Sequence, residues 1–406
     1  MINVIGLGYI GFPTSLMLAS KGYKVIGTDY NEDLINRLNM GQIPFEEKGI
    51  EDLFKLSKMN KIEYSAEYQK ADIYLIAVPT PYNKSTKKID VSYILNSICS
   101  ILKVCNPNAI IIIESTISPG TIDIVLKPYI ESFGYTIGKD IHLVHAPERI
   151  IPGNMIYELT HNSRTIGADN PIIGDKIADI YRKITSGDVI VTNIKTAEMT
   201  KVVENTYRAI NIAFANELAK IARFDNMDVY EIIRICNMHP RVNILSPGPG
   251  VGGHCIPVDP WFLVGDYPNL TPLIKNALEI NESMPDYVLA RALEISHENG
   301  IQDISRIGIY GLTYKENVDD YRESPSIQLL NSQIRHLAEP LKIYDPNISR
   351  KISKNQYFDL ITFLDDVDMV IIMVKHDEIL RKLELFKNKI IFDTQNIINS
   401  GNVYHL

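Results

Sequence analysis

Short apolar runs separated by segments of helical spacing occur at both ends of this 406-residue chain. That alternation restricts the fold more than any other feature. In the first third the runs are "INVIGLG", "KVIGTDY", "DIYLIAVPT", "AIIIIESTI" and "IHLVHAPE", with "RTIGA" and "DVIVTN" as further strands up to about residue 195. Each reads as a buried strand followed by a turn or a helix-like segment, the pattern of a parallel, doubly wound sheet. From Lys195 to Arg223, from Asp228 to Met238 and over residues 270–298, helical spacing continues without a strand signal. The stretch "AEMTKVVENTYRAINIAFANELAKIA" lacks Pro and Gly and is apolar on more than one face, as a helix buried between domains or subunits is. Four more strand candidates, "RIGIYGLTY", "LKIYDP", "DMVIIMV" and "KIIFDTQN", begin at Arg306. The order is α/β, then α, then α/β.

Composition narrows the function classes. With 45% hydrophobic and 22% charged residues the chain reads as soluble and globular. A net charge of −8 gives no general attraction to nucleic acid or to an anionic membrane, so an anionic ligand needs its own Arg and Lys cluster. The four cysteines, Cys99, Cys105, Cys236 and Cys255, show no metal-finger spacing, which points to a reducing, cytoplasmic setting and no metal site. There is no signal-peptide pattern, and the apolar runs are far shorter than the ~20 residues a bilayer span needs.

The first chemical motif is "VIGLGYIG", with Gly6, Gly8 and Gly11 in GxGxxG spacing between a strand and a helix. Gly6 permits the turn, Gly8 lets a pyrophosphate approach the backbone, and Gly11 allows the helix to pack close to the strand. Asp29 ends the second strand 18 residues beyond Gly11, where a carboxylate accepts hydrogen bonds from an adenosine ribose and repels a 2′-phosphate. NAD is therefore the expected cofactor, bound on a Rossmann-like domain.

The second motif is "PGPGVGGHCIPVDPWF", residues 247–262. An alcohol loses hydride to NAD⁺ once a base takes its proton, but the resulting aldehyde loses a second hydride only after a nucleophile makes its carbon tetrahedral. A thiolate at Cys255 does this by way of a thiohemiacetal and then a thioester that water hydrolyses. Read alone, Cys255 is equally a small buried apolar residue. His254 adjoins it, but neighbours on an extended loop point apart, so it is not assigned as the activating base.

Together "VIGLGYIGFPT", "AVPTP", "EST", "APERIIPGN", "TAEMTKVVENTYRAINIAFANE", "HPRVNILSPGPGVGGHCIPVDPWFL" and "GLTYKENVDDYRESPS" resemble the UDP-glucose/GDP-mannose dehydrogenase family. The resemblance implies two Rossmann-like doubly wound domains joined by a central helical dimerisation region. The expected boundaries are 1–195 for NAD, 196–300 for the helical region with the Cys loop, and 301–406 for the UDP-sugar domain. It implies a homodimer and four-electron oxidation of a sugar C6 alcohol for surface polysaccharide synthesis. Within the family, "NMHPRVNILSPGPGVGGHC" and "NIAFANEL" point to a UDP-N-acetylhexosamine substrate. UDP-N-acetyl-D-mannosamine is expected, UDP-N-acetylglucosamine is the alternative, and UDP-glucose is a weaker candidate.

The same resemblance assigns roles. Cys255 matches the nucleophile, Lys201 the catalytic lysine with Asn205 one helical turn on, Asp259 the carboxylate that works with Lys201 and an active-site water, and Glu148 a general base for thioester hydrolysis. Tyr9, Ile10, Thr80, Thr116 and Arg322 join the glycines and Asp29 as cofactor contacts. Arg149, Ile150, Arg208, His239, Arg241, Gly252, Tyr314 and Lys315 match sugar-nucleotide contacts, with Arg241 reaching across the dimer. Taken singly, a helical Lys or a surface Arg is an ordinary solvated side chain, and either carboxylate is equally a helix cap or an ion-pair partner.

Overall fold

The computed structural model describes residues 1–60, 62–336 and 341–406. The chain divides into two compact units, Met1–Glu204 and Asn205–Leu406. In the first unit, strands β1 (Ile2–Ile5), β2 (Val25–Thr28), β3 (Glu63–Ser65), β4 (Ile73–Ile76), β5 (Ala109–Ile113), β6 (Ile141–His145), β7 (Arg164–Ala168) and β8 (Val189–Thr192) form one sheet. Its order is β3-β2-β1-β4-β5-β6-β7-β8, so the chain reverses its direction of progress between β1 and β4, where ligands bind in doubly wound sheets. Runs such as "AIIII" of β5 are buried along their whole length because helices cover both faces.

The sheet is parallel except between β6 and β7, which pair antiparallel with His145 opposite Gly167. A parallel, doubly wound sheet is what the apolar runs suggest. Between β6 and β7 the chain instead reverses, so that β7 and its parallel neighbour β8 extend the sheet antiparallel to the first six strands. Carrying that register on by three residues sets Glu148 opposite Arg164, with consequences described below.

In the second unit β9 (Ile307–Tyr310), β10 (Lys342–Tyr344), β11 (Gln356–Tyr357), β12 (Met369–Ile372), β13 (Ile390–Asp393) and β14 (Val403–His405) are ordered β11-β10-β9-β12-β13-β14. All of these pairings are parallel. The order repeats that of the first six strands of the other sheet. Helices Val229–Cys236, Asp259–Asp266 and Pro272–Glu298 precede it. From the helical segment Ala215, Ala219, Val288 and Leu289 share one core with Ile307, Ile309 and Leu341. The helix Ile194–Phe224 has 31 residues, a length of about 46 Å at 1.5 Å per residue, and runs through the division between the units.

Candidate active site

The glycine turn after β1 has the form a dinucleotide needs. Gly6 sits at φ +86°, and a Cβ there would meet the Ala77 carbonyl oxygen at 2.7 Å. A Cβ on Gly11 would stand 1.9 Å from the Gly6 oxygen, so only glycine lets the helix Gly11–Ser20 start this close to the turn. A Cβ on Gly8 would meet nothing within 4 Å. The space left beside Gly8, at the N-terminus of that helix, is where a pyrophosphate fits. Asp29 braces the turn, since its Oδ2 accepts the Leu7 N–H at 2.8 Å and its Oδ1 the Asn31 N–H at 2.9 Å. The carboxylate stays half-exposed with lone pairs to spare for a ribose.

Around that turn, Tyr9 packs on Phe45 with ring centroids 4.6 Å apart, and Ile10 is half-buried at the helix start. The Thr80 hydroxyl donates to the Thr116 carbonyl at 2.8 Å, tying the segment after β4 to the one after β5. Glu198, on the long helix, accepts the Gly120 and Ile122 N–H groups at 2.5 and 2.9 Å. It thereby anchors the end of the same Thr116 segment. Burial, against those two hydrogen bonds, pushes its carboxyl up to about 7.

Glu148 pairs with Arg164 as the strand register requires, and its Oε1 accepts the Arg149 N–H at 2.6 Å. Both side chains are buried. Arg164 also approaches Glu114 at 3.5 Å, and the Tyr181 hydroxyl donates to Glu114 at 3.2 Å. Burial, together with the Glu148 charge, outweighs Arg164 and pushes Glu114 up to about 8. Arg149 holds Glu204 with two bonds of 2.7 and 2.9 Å beside an open groove of about 410 Å³, and Ile150 next to it is buried.

In the second unit Cys255 is exposed at the end of its glycine loop. None of the four cysteines is in a disulfide. The Cys255 carbonyl accepts the Asp259 N–H at 2.8 Å, which sets Asp259 one turn below the thiol as the first residue of Asp259–Asp266. Asn205 donates to Asp259 Oδ2 at 2.6 Å, and both are buried. The pairing of Asn205 with Asp259 is thus a feature of the fold. Lys201 lies one helical turn before Asn205 and is also buried, unlike the solvated lysine its helical position alone suggests.

The glycines ahead of Cys255 have a second use. A Cβ on Gly252 would stand 2.8 Å from Tyr314 Cβ, and one on Gly253, at φ +86°, would meet the Tyr314 ring at 3.0 Å. The thiol loop therefore lies directly on the segment carrying Tyr314 and Lys315. His254 faces Asp320 at 3.6 Å, and Asp320 also takes bonds of 2.9 and 2.7 Å from Arg322. Sequence reasoning passed over Asn211 and Asn216. Asn211 accepts the Leu245 N–H at 2.9 Å and donates to the Asn243 carbonyl at 2.8 Å, while Asn216 accepts the Gly248 N–H at 2.9 Å. Both lie on the long helix within "NIAFANEL" and bond to the Gly/Pro loop, but at five residues apart they follow no helical period, so spacing gave no signal. Arg208, His239 and Arg241 are exposed.

Three consecutive segments match the UDP-glucose/GDP-mannose dehydrogenase family: its NAD binding domain over residues 1–185, its central domain over 195–283 and its UDP binding domain over 308–400. A protein of Methanococcus maripaludis named UDP-N-acetyl-D-mannosamine dehydrogenase is 40% identical, over 98% of this chain and 93% of its own length. The chain belongs to this dehydrogenase family. Among solved structures, the UDP-N-acetyl-mannosamine dehydrogenase Cap5O of Staphylococcus aureus is 39% identical with a TM-score of 0.88, covering 100% of this chain and 97% of that one. The UDP-D-ManNAc dehydrogenase of Pyrococcus horikoshii is 33% identical with a TM-score of 0.92, over 100% and 99% of the two chains. As a member of the UDP-glucose/GDP-mannose dehydrogenase family this chain is an NAD-dependent oxidoreductase, and the Gly6–Gly11 turn with Asp29 lies in its NAD binding domain. Among the described residues no helix is long and apolar enough to cross a membrane, and no cluster of side chains is arranged to hold a metal.

Proposed function

We propose that the chain oxidises UDP-N-acetyl-D-mannosamine at C6 to the uronate, supplying surface polysaccharide synthesis from a reducing, cytoplasmic compartment. The observation that carries this reading is the exposed Cys255 thiol set one turn above the buried Asn205–Asp259 pair. When bound, NAD⁺ accepts one hydride in each of two oxidations. Lys201 stabilises the alkoxide that forms as the C6 hydroxyl loses its proton. Cys255 then adds to the aldehyde carbon, which gives up the second hydride and leaves a thioester. Water cleaves the C–S bond, returning the thiol and releasing the carboxylate. Asp259, oriented by Asn205, works with Lys201 in taking the proton of the alcohol, and Glu148, held by Arg164, takes that of the attacking water. Tyr314, Lys315, Arg149, Ile150, Arg208, His239, Arg241 and Gly252 are assigned to the sugar nucleotide. Arg322, Thr80 and Thr116 are assigned to the cofactor.

The active form is proposed to be a homodimer through the long helix. Val203, Tyr207, Phe214, Ile221 and Phe224 recur at spacings of three, four and seven and are all exposed, Phe224 at 88%. Such a stripe on a helix seeks a partner. Phe214→Asp is expected to shift the mass measured by light scattering from dimer to monomer.

The deciding measurement is NADH formed per sugar nucleotide consumed. Two are expected, with an acid product, and Cys255→Ser is expected to abolish the second oxidation. A ratio of one in the unaltered protein would overturn the four-electron reading. Initial rates with UDP-N-acetylglucosamine separate its C2 epimer, and equal rates would defeat the narrower substrate assignment.

A further inference from the structure

The segment carrying Tyr314, Lys315 and Arg322 leaves β9 at Gly311 and ends at the helix Pro325–His336. Its middle is gripped from another strand end. His376, fully buried beyond β12, accepts the Asn317 N–H at Nδ1 over 3.0 Å, and the Asn347 amide approaches the same atom at 2.9 Å. A ring nitrogen that accepts a backbone N–H carries no proton of its own, so the ring proton sits on Nε2. Nε2 lies 3.2 Å from Asp345 Oδ2 and 3.4 Å from the Thr313 hydroxyl. Asp345 Oδ2 receives in addition the Leu312 and Thr313 N–H groups at 2.6 and 3.1 Å, and the Thr313 hydroxyl donates to the Lys315 carbonyl at 2.8 Å.

Asn317 itself stands at φ +56° and exchanges two bonds of 3.0 Å with Asp377. Both ring nitrogens of His376 are therefore committed to this one segment, Nδ1 to its middle and Nε2, through Asp345, to its start. A histidine retained only to fill a core has no need of either direction.

We propose that His376 is a positioning residue for sugar-nucleotide binding, fixing residues 312–317 so that Tyr314 and Lys315 are presented to the ligand. The proposal rests on the assignment of Tyr314 and Lys315 to the substrate. Two substitutions in the full-length protein separate the contacts. His376→Asn places a carbonyl oxygen where Nδ1 stood and keeps an acceptor for Asn317. His376→Gln reaches toward Asp345 and abandons Asn317.

For His376→Gln, amide exchange across residues 313–322 is expected to rise about tenfold, and KM for the sugar nucleotide about tenfold, with kcat and KM for NAD⁺ within about twofold. His376→Asn is expected to restore both to within about threefold. Unchanged exchange in His376→Gln, or equal damage from the two variants, overturns the proposal. Faster exchange with an unchanged KM supports the latch and removes Tyr314 and Lys315 from the substrate site. Should neither His376 variant fold, Asn317→Gly carries the test, since it keeps the N–H to His376 and loses the Asp377 bonds. Exchange and KM within about threefold of wild type are then expected, and a larger rise would show that Asp377 rather than His376 holds the segment and overturns the latch.

Discussion

After β1 the chain turns at Gly6 with φ +86°, and after β9 it turns at Gly311 with φ +91°. In each case a leucine N–H follows and is received by an aspartate at the end of the neighbouring strand, Leu7 by Asp29 at 2.8 Å and Leu312 by Asp345 at 2.6 Å. Each aspartate also takes the N–H of an asparagine two residues on, Asn31 at 2.9 Å and Asn347 at 2.8 Å. From there the two halves part. In the first, Gly8 leaves open space and Asp29 stays half-exposed, so the corner offers donors and a carboxylate to a dinucleotide. In the second, Thr313 and His376 fill the corner and Asp345 is buried. One strand order thus serves once as a binding cradle and once as a rigid mount for a long loop. What separates the two uses is whether the aspartate's remaining lone pairs are left to a ligand or taken by the protein.

The largest expected effect comes from Asp345→Asn. It removes a buried charge-assisted acceptor of several hydrogen bonds and should destabilise the second unit by about 2–4 kcal/mol in chemical denaturation. Equal damage from Asp29→Asn would erase the distinction between the two corners. Next is Gly8→Val, which fills the open space without a clash. KM for NAD⁺ should rise about thirtyfold while Tm stays within about 1 °C. A large fall in Tm would show the space to be structural.

The third test uses pH. A carboxyl that titrates higher in the folded chain, as Glu198 does at about 7, binds protons more readily when folded. Its stabilisation is greatest at low pH and fades as pH rises from ~4.3 through about 7. Burial opposes ionisation of Asp345, but hydrogen bonds from His376, Leu312 and Asn347 hold it below the ordinary range. Its contribution is present above that range and is lost only on acidification. Raising pH from 5 to 8 should therefore lower protection factors, taken after dividing out the base-catalysed intrinsic exchange rate, in β5 while sparing β12, with Glu198→Gln flattening the first response by about 1–2 kcal/mol. The smallest effect is expected of Asp29→Asn itself, about a fivefold higher KM for NAD⁺ and weaker discrimination against NADP⁺ in initial rates.

Strands rich in Ile and Val were legible in the sequence because four or five consecutive apolar residues admit few other fates. Strands β3 ("EYS"), β11 ("QY") and β14 ("VYH") were not, since two or three residues at or near sheet edges carry no period. The glycine turn and the Cys255 loop announced themselves because their chemistry dictates fixed local spacing. Arg164, Glu198 and His376 did not, because each is a single polar letter whose partner lies far along the chain. Glu114 is 50 residues from Arg164, Gly120 is 78 from Glu198, and Asn317 is 59 from His376. Asp345 was within reach of inspection, as "IYDPN" echoes "GTDYN" in ending a strand on Asp with Asn two residues later.

The absence of side chains at Gly252 and Gly253 has a consequence for redesign. Where two backbones touch without spacers, a shift in one displaces the other. The loop that grips the nucleotide in this proposal and the loop that bears the sulfur are thus a single inherited part. A graft of residues 311–324 from a relative with another sugar preference would carry the nucleophile off target unless residues 247–259 travelled with it.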